Sequence, residues 1–328
     1  MLKLAIDLMG SDLGSAELIR GVKEFLKSHS DVELVCFGKK EEIEPELVGL
    51  KGVTFEDARE VVPMECGPLK LMRLKNSSMV KAITAMRDEK LDGVVSAGST
   101  GGFLTGATLI LKNIDGVGRA GLCAPFVTAV KGKQVVVLDI GASNENTADD
   151  LVGFAKMGRL YAQCVLNEQN PNCYVLCNGT EEGKGPDYVK EAYQKLKELD
   201  FPGFSGNVEA RDALDGTRDV IVASGFAGNI FLKASEGIAG LMNRMIKSSF
   251  KRNVFSKIGY IMAKPGFDEM KEVMDYKATG GAILLGVNGV VVKAHGNSDA
   301  YSFRHAIEVA YKMARSGIVK RIEEEFAK

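Results

Sequence analysis

Residues 94–102, VVSAGSTGG, join a short apolar run rich in β-branched residues to a turn of glycines and hydroxyls, and a helical pattern follows. The apolar run predicts a buried strand, and the glycine-bearing turn predicts a break between that strand and the helix. The turn contains no acid, base or cysteine, so its chemistry is that of backbone N–H groups and hydroxyls. These groups are suited to holding a ligand.

The same strand, turn and helix unit recurs along the chain. Continuous apolar runs suit strands that are covered on both faces, which predicts a three-layer α/β/α fold with a mostly parallel sheet. No low-complexity linker divides residues 1–328, so we expect a single domain. Ligands of open α/β sheets lie beyond the carboxyl ends of the strands, so we expect the polar turns to converge on one crevice. The predicted strands are LAIDL, ELVCF, GVVS, QVVVLD, CYVLC, DVIVAS and GVVVKA.

Composition excludes several classes of protein. Lys and Arg number 42 and Asp and Glu 43, so the net charge of −1 provides no global attraction to nucleic acid. The six cysteines are scattered without a C-x-x-C pair, which indicates reduced thiols in a cytoplasmic protein. The first residues, MLKLAIDLMG, lack a cleavable signal and are too short to span a bilayer.

Two glycine-rich motifs resemble nucleotide-binding sequences but lack the structural context or the spacing that these require. Residues 116–121 spell G-x-G-x-x-G but follow a helical pattern rather than a strand, and residues 179–185 are one residue short of a P-loop. The three histidines, His29, His295 and His305, form no metal or triad motif. We therefore expect neither a cofactor nor a metal ion.

Several turns can bind an anion, because converging N–H groups, hydroxyls and a following helix N-terminus all favour negative charge. Phosphate is the expected occupant. Two asparagines that follow glycines at strand ends can add further donors. The predicted substrate-binding residues are Gly10, Ser11, Lys75, Ser77, Ser78, Ser96, Gly98, Ser99, Thr100, Asn207 and Asn229.

Nine stretches in this order and spacing resemble the phosphate acyltransferase (PlsX) family of bacterial phospholipid synthesis, from about Leu4 to Glu324. They are AIDLMGSD, KNSSM, VVSAGSTG, LDIGAS, GTEEGKG, GNVEARD, SGFAGN, LKASEG and KAHGNSD. The resemblance implies a fold related to isocitrate dehydrogenase and phosphotransacetylase, in a homodimer. It further implies conversion of acyl-acyl carrier protein and inorganic phosphate into acyl phosphate, close to the membrane. The chain departs from the family pattern at Ser11, Ser99, Ser143, Ser224 and Ala227.

This reaction requires few acid or base groups from the protein, because phosphate is already an oxyanion and a thiol with a pKa of about 8.5 leaves as thiolate. The protein has to hold phosphate beside the thioester and stabilise the developing oxyanion. Lys293 and His295 are the candidates to polarise the carbonyl or protonate the sulfur, and Lys184 is a candidate counter-charge.

Two other enzyme functions remain open at the level of sequence. One is a phosphotransacetylase-like enzyme that uses an acyl-coenzyme A donor. The other is an NAD-dependent hydroxyacid dehydrogenase on the related sheet, which needs a nicotinamide site and a carboxylate cluster. Asp149 and Asp150 form an adjacent aspartate pair, but they read as the first turn of a helix.

An amphipathic helical segment is predicted at about residues 241–275. Between Leu241 and Phe267 no acidic residue occurs, and apolar and basic residues separate onto opposite helical faces. Such a segment can bind an anionic membrane or an acidic carrier protein. It would deliver acyl phosphate to a membrane glycerol-3-phosphate acyltransferase. The predicted contact residues are Phe250, Lys251, Arg252, Phe255 and Ile258.

Overall fold

A computed structural model describes residues 1–251, 253–273 and 280–328, without the side chains of 268–273. In this part of the chain, eleven strands form one sheet. The strands are β1 (Leu2–Asp7), β2 (Val32–Gly38), β3 (Val53–Asp57), β4 (Gly93–Ser96), β5 (Gly121–Val127), β6 (Gln134–Leu138), β7 (Cys173–Cys177), β8 (Phe204–Glu209), β9 (Val220–Val222), β10 (Ala282–Leu285) and β11 (Val290–Lys293). The helices are α1 (Ser15–Leu26), α2 (Lys40–Leu47), α3 (Pro68–Leu71), α4 (Ser78–Asp88), α5 (Thr100–Leu111), α6 (Ala148–Cys164), α7 (Asp187–Glu198), α8 (Gly225–Phe250), α9 (Val254–Val273), α10 (Ala300–Ser316) and α11 (Ile318–Phe326).

The sheet consists of two parallel sets of strands that run in opposite directions. The strand order is β3-β2-β1-β4-β11-β10-β5-β6-β9-β7-β8. Pairing is antiparallel between β11 and β10, between β10 and β5 and between β5 and β6, and it is parallel elsewhere. The first five strands of this order therefore point one way and the last four point the other way.

One row of residues, paired from strand to strand across the whole sheet, runs close to the carboxyl ends of both sets of strands. The row lies at the next-to-last residue of β1, β4 and β11 and at the last residue of β6 and β9. The carboxyl ends of the two sets thus meet near the middle of the sheet from opposite directions. The row contains Phe55, Cys36, Ile6, Val95, Val292, Ile283, Cys123, Leu138, Val222, Val175 and Asn207.

Helices cover both faces of this sheet. Alternate strand residues point to opposite faces. Cys123 belongs to the buried cluster that contains residues of α1, α2, α6, α7, α10 and α11, while its neighbour Leu122 belongs to the cluster that contains residues of α3, α4, α5 and α8. The prediction of a three-layer α/β/α fold with a mostly parallel sheet is confirmed. The expectation that the polar turns converge on one crevice holds in part: the turns after β4, β6 and β11 line the cavity described below, and the turn 179–185 after β7 does not.

The start of α8 packs directly on the turn that follows β6. A Cβ atom at Gly228 would lie 1.9 Å from the carbonyl oxygen of Asp139, and one at Gly225 would lie 1.9 Å from that of Ser143. Real Cβ atoms cannot approach a carbonyl so closely, so glycine is needed at both positions. This contact fixes the first turn of α8 against the end of β6.

Gly228→Ala should destabilise the protein by about 1–3 kcal/mol, because the added methyl group forces α8 away from Asp139. Gly237→Ala in the same helix is the matched control, since a Cβ atom there would meet nothing within 4 Å. This control should be neutral or stabilising by roughly 0.5–1 kcal/mol. Urea unfolding of both variants measures the difference, and equal midpoints would contradict the packing described.

Candidate active site

A cavity of about 740 Å³ opens on the face of the sheet that carries α5 and α8. Its polar end contains Thr100 at the start of α5 and the turn 293–298 that follows β11. One wall comes from β5 and is mostly apolar, and the other comes from one side of α8, which contributes both apolar and polar side chains. The cavity therefore lies beside the row at which the two sets of strands end.

Three polar strand-end residues form a buried cluster at this polar end. Asp7, Ser96 and Lys293 are the last residues of β1, β4 and β11, which are neighbours in the sheet. Strand alternation turns all three toward the α4 and α5 face. The Ser96 hydroxyl donates to Asp7 Oδ2 over 2.6 Å, and the Ser78 hydroxyl also hydrogen-bonds Asp7. Asp7 escaped prediction, although a carboxylate ending an apolar strand was a usable signal.

Lys293 is a buried amine on the cavity wall, with 5% of its surface exposed. Burial lowers the pKa of Lys293 to about 8, while the charges of Asp7 and Asp12 oppose this shift. Burial also raises the pKa of Asp7, against the hydrogen bonds from Ser78, Ser96 and the Met9 N–H. The amine thus holds a proton that it can release near neutral pH, while its Nζ donates to the Ala294 carbonyl.

Three of the predicted loops are in contact with one another, and two of them, 96–100 and 293–298, contribute residues to the cavity. The Ser11 hydroxyl and the Asp12 N–H donate to the Gly296 carbonyl over 3.0 and 2.8 Å. A Cβ atom at Gly10, where φ is +79°, would lie 3.2 Å from Gly98 Cα, so these two turns touch through their backbones. The Ala294 N–H donates to the Ser96 carbonyl over 2.9 Å. The loops at 10–12, 96–100 and 293–298 therefore form one unit.

The hydroxyls of this unit have different tasks. Ser99 is buried and caps α5, because its Oγ accepts the Gly102 N–H while its hydroxyl donates to the Met64 carbonyl. Thr100, the next residue, is exposed and lines the cavity. Ser77 likewise caps α4 and donates to the Leu74 carbonyl. Of the predicted phosphate-binding hydroxyls, Thr100 has access to a ligand, whereas Ser77 and Ser99 are committed to local structure.

The 293–298 turn supplies two further groups. His295 is exposed and lines the cavity, as its prediction as a reacting group requires. Ser298 also lines the cavity but is buried, and its hydroxyl has no hydrogen-bond partner in the described structure. Sequence analysis did not select Ser298, because a serine before a helix usually serves as a cap.

Asn229 reaches the cavity from the first turn of α8, together with Gly141 from the turn after β6. Lys184 and Asn207 do not line the cavity. Asn207 lies in β8, four strands from β5, or about 19 Å at the usual strand spacing. Its amide donates to the Glu181 carbonyl in the turn that carries Lys184. Lys75 is exposed and does not line the cavity.

Two of the departures from the family pattern have local explanations. Ser224 caps α8 by accepting the Ala227 N–H, and the Tyr188 hydroxyl bonds the same oxygen. Ser143 donates to Asp139, whose carboxylate also accepts N–H groups of the turn after β6. At both positions the serine hydroxyl therefore makes a hydrogen bond within its own turn, and no additional carboxylate is needed there.

Among the residues that the structure describes, no group of three or more His, Cys, Asp or Glu side chains is placed to hold a metal ion. No helix among these residues is long and apolar enough to cross a membrane.

Comparison with known proteins identifies the class. A phosphotransacetylase structure from Streptococcus pyogenes superimposes with a TM-score of 0.62 at 17% identity, covering 96% of this chain and 94% of that one. A 4-hydroxythreonine-4-phosphate dehydrogenase from Klebsiella pneumoniae gives 0.54 at 12% identity, covering 95% and 98%. At such identities these likenesses show the fold alone, which is the phosphotransacetylase type that the resemblance implied.

Sequence relatives define the enzyme more closely. The model of the family described as "Fatty acid synthesis protein" matches residues 2–321. The phosphate acyltransferase of Thermotoga maritima is 43% identical over 323 residues, which cover 98% of this chain and 96% of that protein. The protein is therefore an enzyme and an acyltransferase. The chain belongs to the phosphate acyltransferase (PlsX) family.

Adjacent substitutions separate the two roles at the start of α5. Ser99→Ala should cost about 1 kcal/mol of stability because the helix loses its cap, and Thr100→Val should leave stability unchanged. Thr100→Val should instead raise the phosphate KM or lower kcat by roughly tenfold or more, since a hydrogen bond to a charged group is lost. Thermal unfolding and kinetics at limiting phosphate test both, and normal phosphate kinetics in Thr100→Val would contradict the assignment.

Proposed function

We propose that this enzyme transfers an acyl group from acyl-acyl carrier protein to inorganic phosphate and forms acyl phosphate for glycerophospholipid synthesis. The observation that supports this proposal most is Lys293, a buried amine at the polar end of a cavity whose lining along β5 is mostly apolar. A reactive acyl group needs this combination of a cation and an apolar surface.

Phosphate fits beside Thr100. The first turn of α5 reads Thr-Gly-Gly and contains no acidic residue, so its N-terminus favours an anion. A Cβ atom at Gly101 would meet nothing within 4 Å, so the backbone there is open to a ligand. Across the polar end, Lys293 and the unpartnered hydroxyl of Ser298 face the same space.

The reaction proceeds by direct attack in this arrangement. A phosphate oxygen attacks the thioester carbonyl carbon, and the cation of Lys293 stabilises the negative charge that develops on the carbonyl oxygen. The carbon–sulfur bond then breaks and the thiolate leaves. Protonated Lys293 can deliver its proton to that thiolate, because the pKa of about 8 lies close to that of an ordinary thiol. Solvent reprotonates the amine, and exposed His295 lies in the same turn to assist.

The nearest alternative is a phosphotransacetylase-like enzyme, which differs from the proposal in using acyl-coenzyme A as the donor. Acyl-coenzyme A presents the same thioester to the same residues, so the two functions have to be separated by experiment. The hydroxyacid dehydrogenase alternative gains no residue-level support, because the dehydrogenase comparison shows the fold alone.

The decisive experiment measures acyl phosphate formed from acyl-acyl carrier protein or acyl-coenzyme A with phosphate. We expect product from the carrier protein donor at the higher kcat/KM. The rate should fall as pH rises through about 8, because Lys293 then loses its proton. In Lys293→Arg, which keeps its charge, this decline should move to higher pH, and Lys293→Ala should lose about 10²-fold or more. Absence of acyl phosphate refutes the function; an unshifted pH profile in Lys293→Arg refutes the role of the amine.

We also propose that the enzyme is cytoplasmic, works as a homodimer and associates reversibly with anionic membranes. The end of α8 and helix α9 form a hairpin with exposed apolar residues, among them Phe255, Ile258 and Met262, and exposed Lys251. Exposed Phe226, Ile230 and Ile238 along α8 offer an apolar surface to a second copy. Membrane association would place acyl phosphate beside a membrane glycerol-3-phosphate acyltransferase.

The structure changes the predicted contact set at Phe250. Phe250 is half-buried and packs against the rings of Tyr260 and Phe267, with centroids 5.4 and 5.1 Å away. It therefore holds the hairpin together instead of facing a lipid surface. Arg252, and residues 274–275 at the end of the predicted segment, lie outside the described residues.

Phe255→Glu and Ile258→Glu should each abolish binding to anionic vesicles at low salt, because an inserted carboxylate opposes burial in the lipid interface. Leu199→Glu is the control, since Leu199 is equally exposed apolar surface at the end of α7. Co-sedimentation of the unmodified protein should weaken as salt rises. Binding that persists in both hairpin variants, or that never occurs at low salt, would contradict the membrane proposal.

A further inference from the structure

We propose that the groove between β5 and α8 holds the acyl chain of the substrate, with its far end at Ala129. This inference rests on the proposed function, because it places the hydrocarbon part of the acyl donor whose thioester meets Lys293. Lys293 ends β11 at the polar end of the cavity, and residues 124–129 of β5 and the following turn line the cavity beyond it. The groove is continuous with the reacting residues.

From Leu122 to Val127 the floor of the groove offers no side-chain hydrogen bond, and the hydroxyl of Thr128 beyond it is engaged with the Val130 and Lys133 carbonyls. Leu122, Ala124 and Phe126 alternate with Cys123 and Pro125 along the strand. Pro125 has no N–H, and it lies beyond Cys123, the last β5 residue that pairs with β10, so the missing donor costs no bond to that strand. Polar ligand groups laid along this floor would lose hydrogen bonds to water without replacement. A hydrocarbon chain has no such groups.

Helix α8 forms the opposite wall. One side of the helix faces the groove and contributes both apolar and polar residues, which are Asn229, Leu232, Lys233, Ser235, Glu236 and Ala239. The Phe231 ring packs against Phe126 with centroids 5.3 Å apart and joins this wall to the floor. The wall becomes more exposed toward its rim, where Glu236 lies at the surface.

The far end of the groove lies at Ala129. The Ala129 N–H donates to the Leu214 carbonyl over 2.9 Å, and Leu214 also lines the cavity. From Ala124 to Ala129 the extended chain covers about 16 Å at roughly 3.3 Å per residue. This length suits a long acyl chain. The pantetheine arm would be the other elongated occupant, but its amides would find no partners on the floor.

The test uses two adjacent tryptophan substitutions. Ala129→Trp fills the far end of the groove, whereas Val130→Trp adds a bulky ring one residue further on, at an exposed position outside the cavity. Each methylene that loses its burial costs roughly fourfold in affinity. Ala129→Trp should therefore lower kcat/KM for a hexadecanoyl donor by about tenfold or more and leave a butanoyl donor unchanged. Val130→Trp should match the unmodified enzyme with both donors.

Equilibrium binding of hexadecanoate, measured by displacement of a fluorescent fatty acid, separates this inference from the proposed function. Ala129→Trp should weaken that binding even if no acyl phosphate were formed, and Val130→Trp should not. An equal loss for the hexadecanoyl and butanoyl donors would assign the groove to the pantetheine arm and overturn the inference. Unchanged chain-length selectivity and unchanged hexadecanoate binding in Ala129→Trp would also overturn it.

Discussion

The reversal of strand direction at β10 and β5 is the constraint on which the site depends. In a fully parallel sheet, every polar turn would lie at one edge, and the last strands would bring their turns far from the first. Here the antiparallel strands let two parallel sets end on one row, level with Cys123 and Val292. Lys293 on one side of the row and the turn after β6 on the other can therefore border the same cavity.

Burial of charge next to this row decides the chemistry. A lysine exposed to water would remain a permanent cation, but Lys293 is enclosed by protein and its pKa falls to about 8. Asp7 limits that fall, and Ser96 and Ser78 hold Asp7 in place. In the mechanism that we propose, the amine has to carry charge to stabilise an oxyanion and also hold a proton that is easily given up. The hydrogen bonds around Asp7 maintain this balance.

Sequence periodicity predicted seven of the eleven strands and the three layers, because each apolar run and its glycine turn is a local signal. The phosphotransacetylase-type fold was implied by the resemblance to the family. The turns at 96–100 and 293–298 were also recognised, and the structure joins them. The direction of each strand could not be predicted from the sequence, because β10 and β5 resemble the other apolar runs. Lys184 and Asn207 were predicted to lie in the site because the sequences of their turns resemble those of the turns that reach the cavity. The separate tasks of Ser99 and Thr100 depend on which hydroxyl faces Met64, which no local pattern reveals.

Helix α8 has 26 residues and therefore extends about 39 Å. Its first half walls the cavity, and its second half carries the apolar hairpin with α9. A stiff rod of this kind transmits tilt along its length, with Gly225 and Gly228 pressed on the β6 turn as the pivot. The cavity wall and the exposed apolar hairpin are therefore two parts of one helix that is anchored at its start, so a substitution that redirects the start of α8 would displace both.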